Sequence, residues 1–445
     1  MFTTIAVSNF KSIKDRVEIN FNLPVIGNHL PQNVYINDQM TAPVVRSIGI
    51  YGANASGKSN VLMALKALEY MVTISGDLKQ NELIPCYEPY ELSPYTKNKQ
   101  VTLEAEFYSE SGTKFSFVIS YIKDRIIFES LDYYPSRVKA NIFLRTENDT
   151  WETIKFGGHY KGGIKRIPFF QNNSYLSKAG NNTATPSIIQ DAYNFFLRKI
   201  KHLGLKEKFR LLSFGNRETV AKETAKLLSM IDTGITDITV KKIDADFSRT
   251  FPDDMPHELK EIVLEDFKYR YFFSHEDKTG DKVFLPLSKQ SAGIQKLFEL
   301  IPLIKSAFND RKVIIIDELD NSIHPHIVDL IVRLFNDPEV NILGSQLLFS
   351  THNMQLMTPE KMRRDQIFFC EKTNGSTQIY SLDDFDKKKI KTTTNYANWY
   401  DEGRFGGVPN INYLKIAAFL STNNATETLD LSEDDIKDIS NGFFE

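Results

Sequence analysis

The chain has 445 residues, 41% of them hydrophobic and 25% charged, with a formal net charge of −3 and two cysteines, Cys86 and Cys370. This is the composition of an ordinary globular protein of two or three domains. It excludes a disulfide framework or a cysteine-rich zinc module, because neither cysteine has a nearby Cys or paired His. No apolar run approaches the ~18 residues of a membrane span, so the expectation is a cytoplasmic protein with no membrane partner. A charge this small forces no nucleic-acid partner, although a local basic face is left open.

Residues 2–22, FTTIAVSNFKSIKDRVEINFN, alternate as two short strands around a polar turn at Ser12–Asp15. Val44–Val45 and Ile48–Tyr51 then form an apolar strand that runs into GANASGKS, Gly52 to Ser59. From Asn60 to Tyr70 the apolar residues recur at helical spacing. Strand, glycine loop and helix are the context in which G-x-x-x-x-G-K-[ST] binds phosphate. Backbone N–H groups and the positive end of the helix dipole face the anion. The predicted nucleotide-binding residues are therefore Gly52, Ala53, Asn54, Ala55, Ser56, Gly57, Lys58, Ser59 and Asn60. Lys58 would reach the β- and γ-phosphates of ATP, and the Ser59 hydroxyl would ligate Mg2+.

Four runs at 101–108, 114–122, 124–134 and 141–146 read as a β-meander, and 156–182, rich in Gly, Asn and Lys, as an exposed loop. The first part of the molecule is thus drawn at 1–185. Thr185–Pro186 offers an N-cap and a first-turn proline to the helical pattern SIIQDAYNFFLRKIKHL. Further helix is expected at 217–231 and 257–268, with some strand near 235–243 and 269–273. Residues 186–285 are read as a mainly helical insertion, without an internal repeat or a heptad run long enough for a coiled-coil arm.

The α/β pattern returns over 286–420. In LSKQSAGIQKLFELIPLI (287–304), Ser291 and Gly293 open a helix whose N-terminus is a second anion site. One nucleotide with one phosphate loop does not need it; a second subunit's nucleotide would. VIIIDELDNSIHP (313–325) is a buried strand with Asp317 and Glu318 at its C-terminal end, where ligands of α/β sheets sit. Asp317 would hold Mg2+, directly or through water, and Glu318 would accept a proton from the attacking water or polarise it. His324 and His326 flank Pro325 at the next helix start and read as structural. FSTHN (349–353) sets His352 past a third strand, placed to sense the γ-phosphate. The expected catalytic residues are Lys58, Glu318 and His352, and the tail at 421–445 is acidic and solvated.

This order of motifs resembles the ABC-type ATPase heads of the SMC, RecF and OLD proteins. It resembles more closely the stand-alone ABC-like ATPases of bacterial phage-defence loci, including those of abortive-infection L-type, RloA-type and PARIS-type systems. The residues that carry the likeness are NFKS (9–12), YGANASGKSN (51–60), SAGIQKL (291–297), IIIDELDNSIHP (314–325), QLLFSTHN (346–353) and YDEGRFGGVP (400–409). The last is the most family-like, because generic ABC heads lack it.

The resemblance implies an α/β ABC-type P-loop head with a β-meander lobe and an inserted helical lobe, dimerising head-to-tail around two ATP molecules. The phosphate loop, Asp317, Glu318 and His352 of one copy would meet Ser291 and Gly293 of another, and Asp320 would cross the interface. Ile294 stands where such proteins usually carry Thr, which bears on how this helix start completes a partner's site and on turnover. The glutamine that links Mg2+ to the lobes in ABC heads is left open among Gln100, Gln171 and Gln190. About 90 residues follow His352, too few for the fused nuclease of OLD-type proteins, so the implied partner is an effector nuclease or toxin in trans, with assembly beyond a dimer open. Two alternatives remain at this stage. One is a RecF-like ATPase on duplex DNA, with Arg137, Lys139, Lys161, Lys165, Arg166 and the run 387–391 as its basic residues. The other is a slow nucleotide-gated scaffold.

Overall fold

The computed structural model describes residues 1–23, 26–204, 216–243, 268–386, 389–391, 393–409 and 411–420. The chain divides into a unit Met1–Val408 and a second unit, Pro409–Glu445. The acidic tail lies outside the described residues. The described helices are α1 (Lys58–Thr73), α2 (Tyr175–Gly180), α3 (Ser187–Asn194), α4 (Arg217–Met230), α5 (Ala292–Asp310), α6 (Pro325–Asn336) and α7 (Tyr396–Asp401) in the first unit, and α8 (Tyr413–Leu420) in the second. None is long and apolar enough to cross a membrane.

An antiparallel sheet of seven strands runs β10–β9–β8–β7–β6–β1–β2. Its members are β1 (Phe2–Ser8), β2 (Val17–Asn20), β6 (Val101–Tyr108), β7 (Lys114–Tyr121), β8 (Ile126–Tyr133), β9 (Ala140–Thr146) and β10 (Lys155–Phe156). The predicted meander is its larger part, and alternation along β6 buries Val101, Leu103, Ala105 and Phe107. A second sheet runs β11–β15–β16–β5–β17–β18, from β5 (Ser47–Tyr51), β11 (Ile200–Leu203), β15 (Val313–Ile316), β16 (Gln346–Ser350), β17 (Ile367–Thr373) and β18 (Ser376–Ser381). All neighbours in it are parallel except β18 on β17. The pair β3 (Val34–Tyr35) and β4 (Val44–Val45) is separate, as is the antiparallel sheet β12 (Ile235–Lys242), β13 (Tyr269–Glu276) and β14 (Lys282–Pro286).

Parallel strands need cover on both faces, and the period-2 alternation of the mixed sheet supplies it. Ile48, Ile50, Val313 and Ile315 pack with α1 and the seven-stranded sheet. Ile314, Ile316, Leu347 and Phe349 pack with α5 and α6. Each such side chain, fully buried, contributes roughly 1.5–3 kcal/mol. The mixed sheet is therefore the floor on which the loops after β5, β15 and β16 meet.

Two expectations change. The stretch 156–182 is not simply an exposed loop, because Asn172–Ser177 is buried. Glu129, fully buried on β8, accepts from the Ser174 hydroxyl (2.7 Å) and from the amides of Tyr175 (2.8 Å) and Leu176 (2.9 Å). Arg145 beside it donates to the carbonyls of Asn173 and Gln171. Polar residues that read as loop thus satisfy a buried ion pair. The helical pattern from Ser187 also stops early. After α3 and one wide turn, Ile200–Leu203 leaves the helix as β11 and pairs with Val313–Ile316. The spacing of Ile200, His202 and Leu203 suits either state, and the free edge of β15 decides. The described part of 186–285 holds β11, β12, β13 and most of β14 beside α3, the wide turn after it and α4, and residues 205–215 and 244–267 of that insertion lie outside the described residues. Residues 257–267 of the helix expected at 257–268 lie outside the described residues.

Candidate nucleotide-binding site

The strand β5 ends at Tyr51, and the loop from Gly52 turns into α1 at Lys58. Two glycines are required by contact as well as by backbone. A Cβ on Gly52 would lie 2.2 Å from the Cys370 carbonyl oxygen. One on Gly57, at φ 111°, would lie 2.1 Å from the Thr377 hydroxyl. The loop is thus pressed against the β17–β18 hairpin with no room for a side chain at either glycine. Ala55 takes φ 62° in the same turn. The buried Lys58 ammonium donates to the carbonyls of Gly52 (2.8 Å) and Ala53 (3.0 Å). Burial holds its pKa below the ordinary lysine value, opposed by nearby Cys370, Asp317, Glu318 and Asp320. Burial likewise pushes the Cys370 thiol up to about 11, so it packs under the loop as an inert group.

The NFKS turn buttresses the loop from the side. Asn60 donates to the Ser12 hydroxyl (2.6 Å), which pairs with the Thr377 hydroxyl (2.7 Å), which in turn donates to the Ser56 carbonyl (2.8 Å). Asn9 holds that turn by donating to the carbonyls of Thr96, Lys99 and Gln100.

Asp317 and Glu318 follow β15 directly. They are joined by a residue the sequence reading did not single out, Ser350 at the end of β16. Its fully buried hydroxyl donates to Asp317 Oδ1 (2.6 Å) and accepts the Glu318 N–H (2.7 Å). Glu318 is exposed and sits at φ 51°, a left-handed conformation that a non-glycine residue keeps only when its surroundings impose it. Asp320 turns back within its own chain, where its carboxylate accepts the His352 N–H (3.1 Å). Burial and the Lys58 charge lower the His352 pKa, and Asp320 and Glu318 raise it. Lys58, Asp317, Glu318, Asp320 and His352 therefore share one field.

Ser291 and Gly293 lie at the start of α5, beside the turn at Ser322. Ser291 is exposed and caps α5, accepting from the Ile294 amide at 3.3 Å. A Cβ on Gly293 would lie 2.6 Å from the Ser322 carbonyl. Among the described residues no hydrogen bond links either to the phosphate loop. His324 is the N-cap of α6, its Nδ1 accepting from the His326 amide. Gln190 bonds to the carbonyls of Asn182, Thr183 and Thr185, and the carbonyls of Gln100 and Gln171 bond to Asn9 and Arg145. None of the three glutamines is tied to the loop among the described residues. Of the basic residues, Lys139, Lys165 and Arg166 lie over the rings of Tyr134, Tyr160 and Phe156, while Lys387 and Lys388 lie outside the described residues.

Does the loop fit a nucleotide? The buried Ser56 hydroxyl has no hydrogen-bond partner among the described residues. Among the described residues the amides of Asn54, Ala55, Gly57 and Lys58 donate to no backbone acceptor outside the helix. Unclaimed donors around a buried ammonium, at a helix N-terminus, match a phosphate chain in number and sign. Ser59 and Asp317 supply hard oxygen donors of the kind Mg2+ prefers alongside phosphate.

A comparison with curated proteins finds no match. Among solved structures, the SMC head domain from Thermotoga maritima aligns with a TM-score of 0.37 at 14% identity, covering 85% of this chain and 98% of that one. The recombination mediator RecF with ATP aligns at 0.34 and 12% identity, covering 85% and 97%. The model of the family described as "AAA domain, putative AbiEii toxin, Type IV TA system" matches residues 47–358, from β5 to just beyond His352. The chain belongs to that family.

Proposed function

We propose that the chain is an ATP-hydrolysing switch of ABC type whose site is completed by a second copy. The head is built from 1–204 and 286–408, with the residues between as an inserted lobe. The observation that carries the reading is the division within one chain. Lys58, Asp317, Glu318, Asp320 and His352 gather on the phosphate loop, whereas Ser291 and Gly293 open α5 beside the turn at Ser322 and, among the described residues, share no hydrogen bond with that loop. A second helix start with no bond to its own phosphate loop is open to the phosphates of another copy, as in a head-to-tail pair.

Lys58 exchanges the Gly52 and Ala53 carbonyls for the β- and γ-phosphates, and the unclaimed loop amides take the remaining oxygens. Ser59 and Asp317 would hold Mg2+, which when bound would supply charge neutralisation on the phosphates. Glu318 orients a water for in-line attack on the γ-phosphorus and takes its proton as the bond to the ADP oxygen breaks. The neutral His352 ring donates to a γ-phosphate oxygen. Ser350 keeps Asp317 and Glu318 in register throughout. We assign the output to an effector in trans, a nuclease or toxin controlled by the ATP-bound pair in anti-phage defence. The toxin system in the family's description supports that assignment.

The test co-expresses Lys58→Ala with Ser291→Arg, each inactive alone. In a head-to-tail pair the mixed dimer keeps one intact composite site, so about a quarter of wild-type turnover returns. No recovery, or full turnover by Ser291→Arg alone, overturns the shared site. A Glu318→Gln pull-down with ATP and Mg2+, with nuclease treatment, tests the effector. Recovery of DNA alone, lost on nuclease treatment, overturns that part.

A further inference from the structure

The segment YDEGRFGGVP (400–409) has no role in the chemistry above, yet it touches the phosphate loop. The Ala53 amide, second in the loop, donates to the Gly407 carbonyl at 2.6 Å. That carbonyl also accepts the Tyr400 hydroxyl at 3.1 Å. Gly403, Gly406 and Gly407 all take φ between 69° and 75°, so the strap is a run of left-handed turns. The approach is close: a Cβ on Gly407 would come within 3.7 Å of the Gly52 Cα. The strap is held to the sheet by aromatic packing. Buried Phe405 stacks on Phe369 of β17, centroids 5.3 Å apart, and its carbonyl accepts the Tyr380 hydroxyl of β18 at 2.7 Å. Tyr400 also stacks on Phe369, centroids 5.4 Å apart.

The first peptide of the loop is therefore gripped from two sides. The Cys370 carbonyl of β17 presses on Gly52, and the strap holds the Ala53 amide. The carbonyls of these same two residues, Gly52 and Ala53, hold the Lys58 ammonium. A shift of the Gly52–Ala53 unit moves the cradle in which Lys58 waits for phosphate. We propose that the strap 400–408 is a positioning element of the ATP site. Its Gly407 carbonyl, oriented by the Tyr400 hydroxyl, fixes the Gly52–Ala53 turn and through it the resting place of Lys58. Tyr400 and Gly407 are positioning residues and touch no substrate. The inference rests on the reading of the loop as an ATP site.

The test compares full-length wild type with Tyr400→Phe and Gly407→Ala. Tyr400→Phe removes one hydroxyl and keeps the ring stack. Gly407→Ala meets atoms only at 3.5 Å and beyond but places a side chain at φ 72°. Tyr175→Phe is the control: it removes a hydroxyl that donates to the Lys165 carbonyl at 2.8 Å, in the packing of α2 on the seven-stranded sheet. Each protein is titrated with a fluorescent ATP analogue, assayed for kcat and KM, and melted. Both strap variants should weaken nucleotide binding and raise KM about three- to tenfold, more than they lower kcat, as expected for a lost hydrogen bond in a preorganised site. Tyr175→Phe should lower the melting temperature comparably and leave binding at the wild-type value. Strap variants that melt lower but bind ATP as wild type does overturn the inference. A control that loses affinity in step with its melting also overturns it, since general loosening would then explain both. If wild type binds no nucleotide, the ATP reading itself fails and the inference falls with it.

Discussion

Glu318→Gln is the most discriminating single substitution, because the anchors of Glu318 do not use its carboxylate. Its amide donates to Ser350, and its carbonyl accepts from the Asn321 amide at 3.0 Å. Among the described residues the carboxylate has one hydrogen-bond partner, the Asn321 side chain at 3.4 Å. An isosteric amide on this exposed side chain leaves the turn at φ 51° and the Ser350 bridge as they are, so the fold should not change. What disappears is the ability to take a proton from water. A positioned general base contributes about 10²–10⁴ in rate, and a hundredfold loss corresponds to about 2.7 kcal/mol of transition-state stabilisation. The carboxylate is one of the acids within electrostatic reach of Lys58, so its neutralisation lowers the negative charge that meets ATP. Affinity should therefore hold or improve while turnover collapses. Phosphate release at saturating ATP and Mg2+ measures the first quantity, and a fluorescent-nucleotide titration the second. Turnover within about threefold of wild type would refute the assignment of Glu318 as base. A parallel loss of binding would show that the carboxylate organises the nucleotide instead.

Lys58→Ala removes a buried ammonium whose partners are two loop carbonyls. ATP affinity should fall about tenfold or more with the melting temperature near wild type, and titration by the same fluorescent analogue checks this. Ser350→Ala leaves the Glu318 amide and an Asp317 oxygen without their buried partner, at a cost of about 1–3 kcal/mol. A lower denaturant midpoint together with reduced turnover is expected, and an unchanged midpoint would show that the bridge carries no weight. His352 titrates below the ordinary value of 6.5 because burial and Lys58 disfavour its charged form. The unfolded chain then binds this proton more readily than the folded one, so the group is neutral to stability above pH 6.5. It subtracts stability as the pH falls from there towards the folded pKa. A ring titration by NMR on nucleotide-free protein measures the midpoint, and a value above 6.5 would contradict the placement.

How much of this was legible in the residues depends on the range of the interaction. The phosphate loop, the Asp317–Glu318 pair and the β-meander are local patterns. A glycine spacing, an apolar run ending in two acids and a period-2 alternation each arise within ten or so residues and can be read there. The left-handed turn at Glu318 and the Ser350 bridge are not local. Ser350 is a serine at the end of an apolar strand, and nothing in QLLFS says that its hydroxyl will lie against Asp317, 33 positions earlier.

The chain by itself determined which chemistry is available to the proposed site, because Lys58, Ser59, Asp317, Glu318 and His352 carry the side chains that the proposed phosphate and Mg2+ chemistry would use wherever the backbone brings them together. Tertiary structure alone decided what holds them. The Ser12–Thr377 contact spans 365 positions, and the Gly407 carbonyl reaches Ala53 from near the other end of the first unit. Such hydrogen bonds leave no period in sequence, since each partner taken singly would be equally content with water. The same holds for β11, whose residues suited a helix until the open edge of β15 offered its unpaired backbone groups. Burial of both faces of the mixed sheet brings these distant segments within reach of one another, and the site takes its final form there.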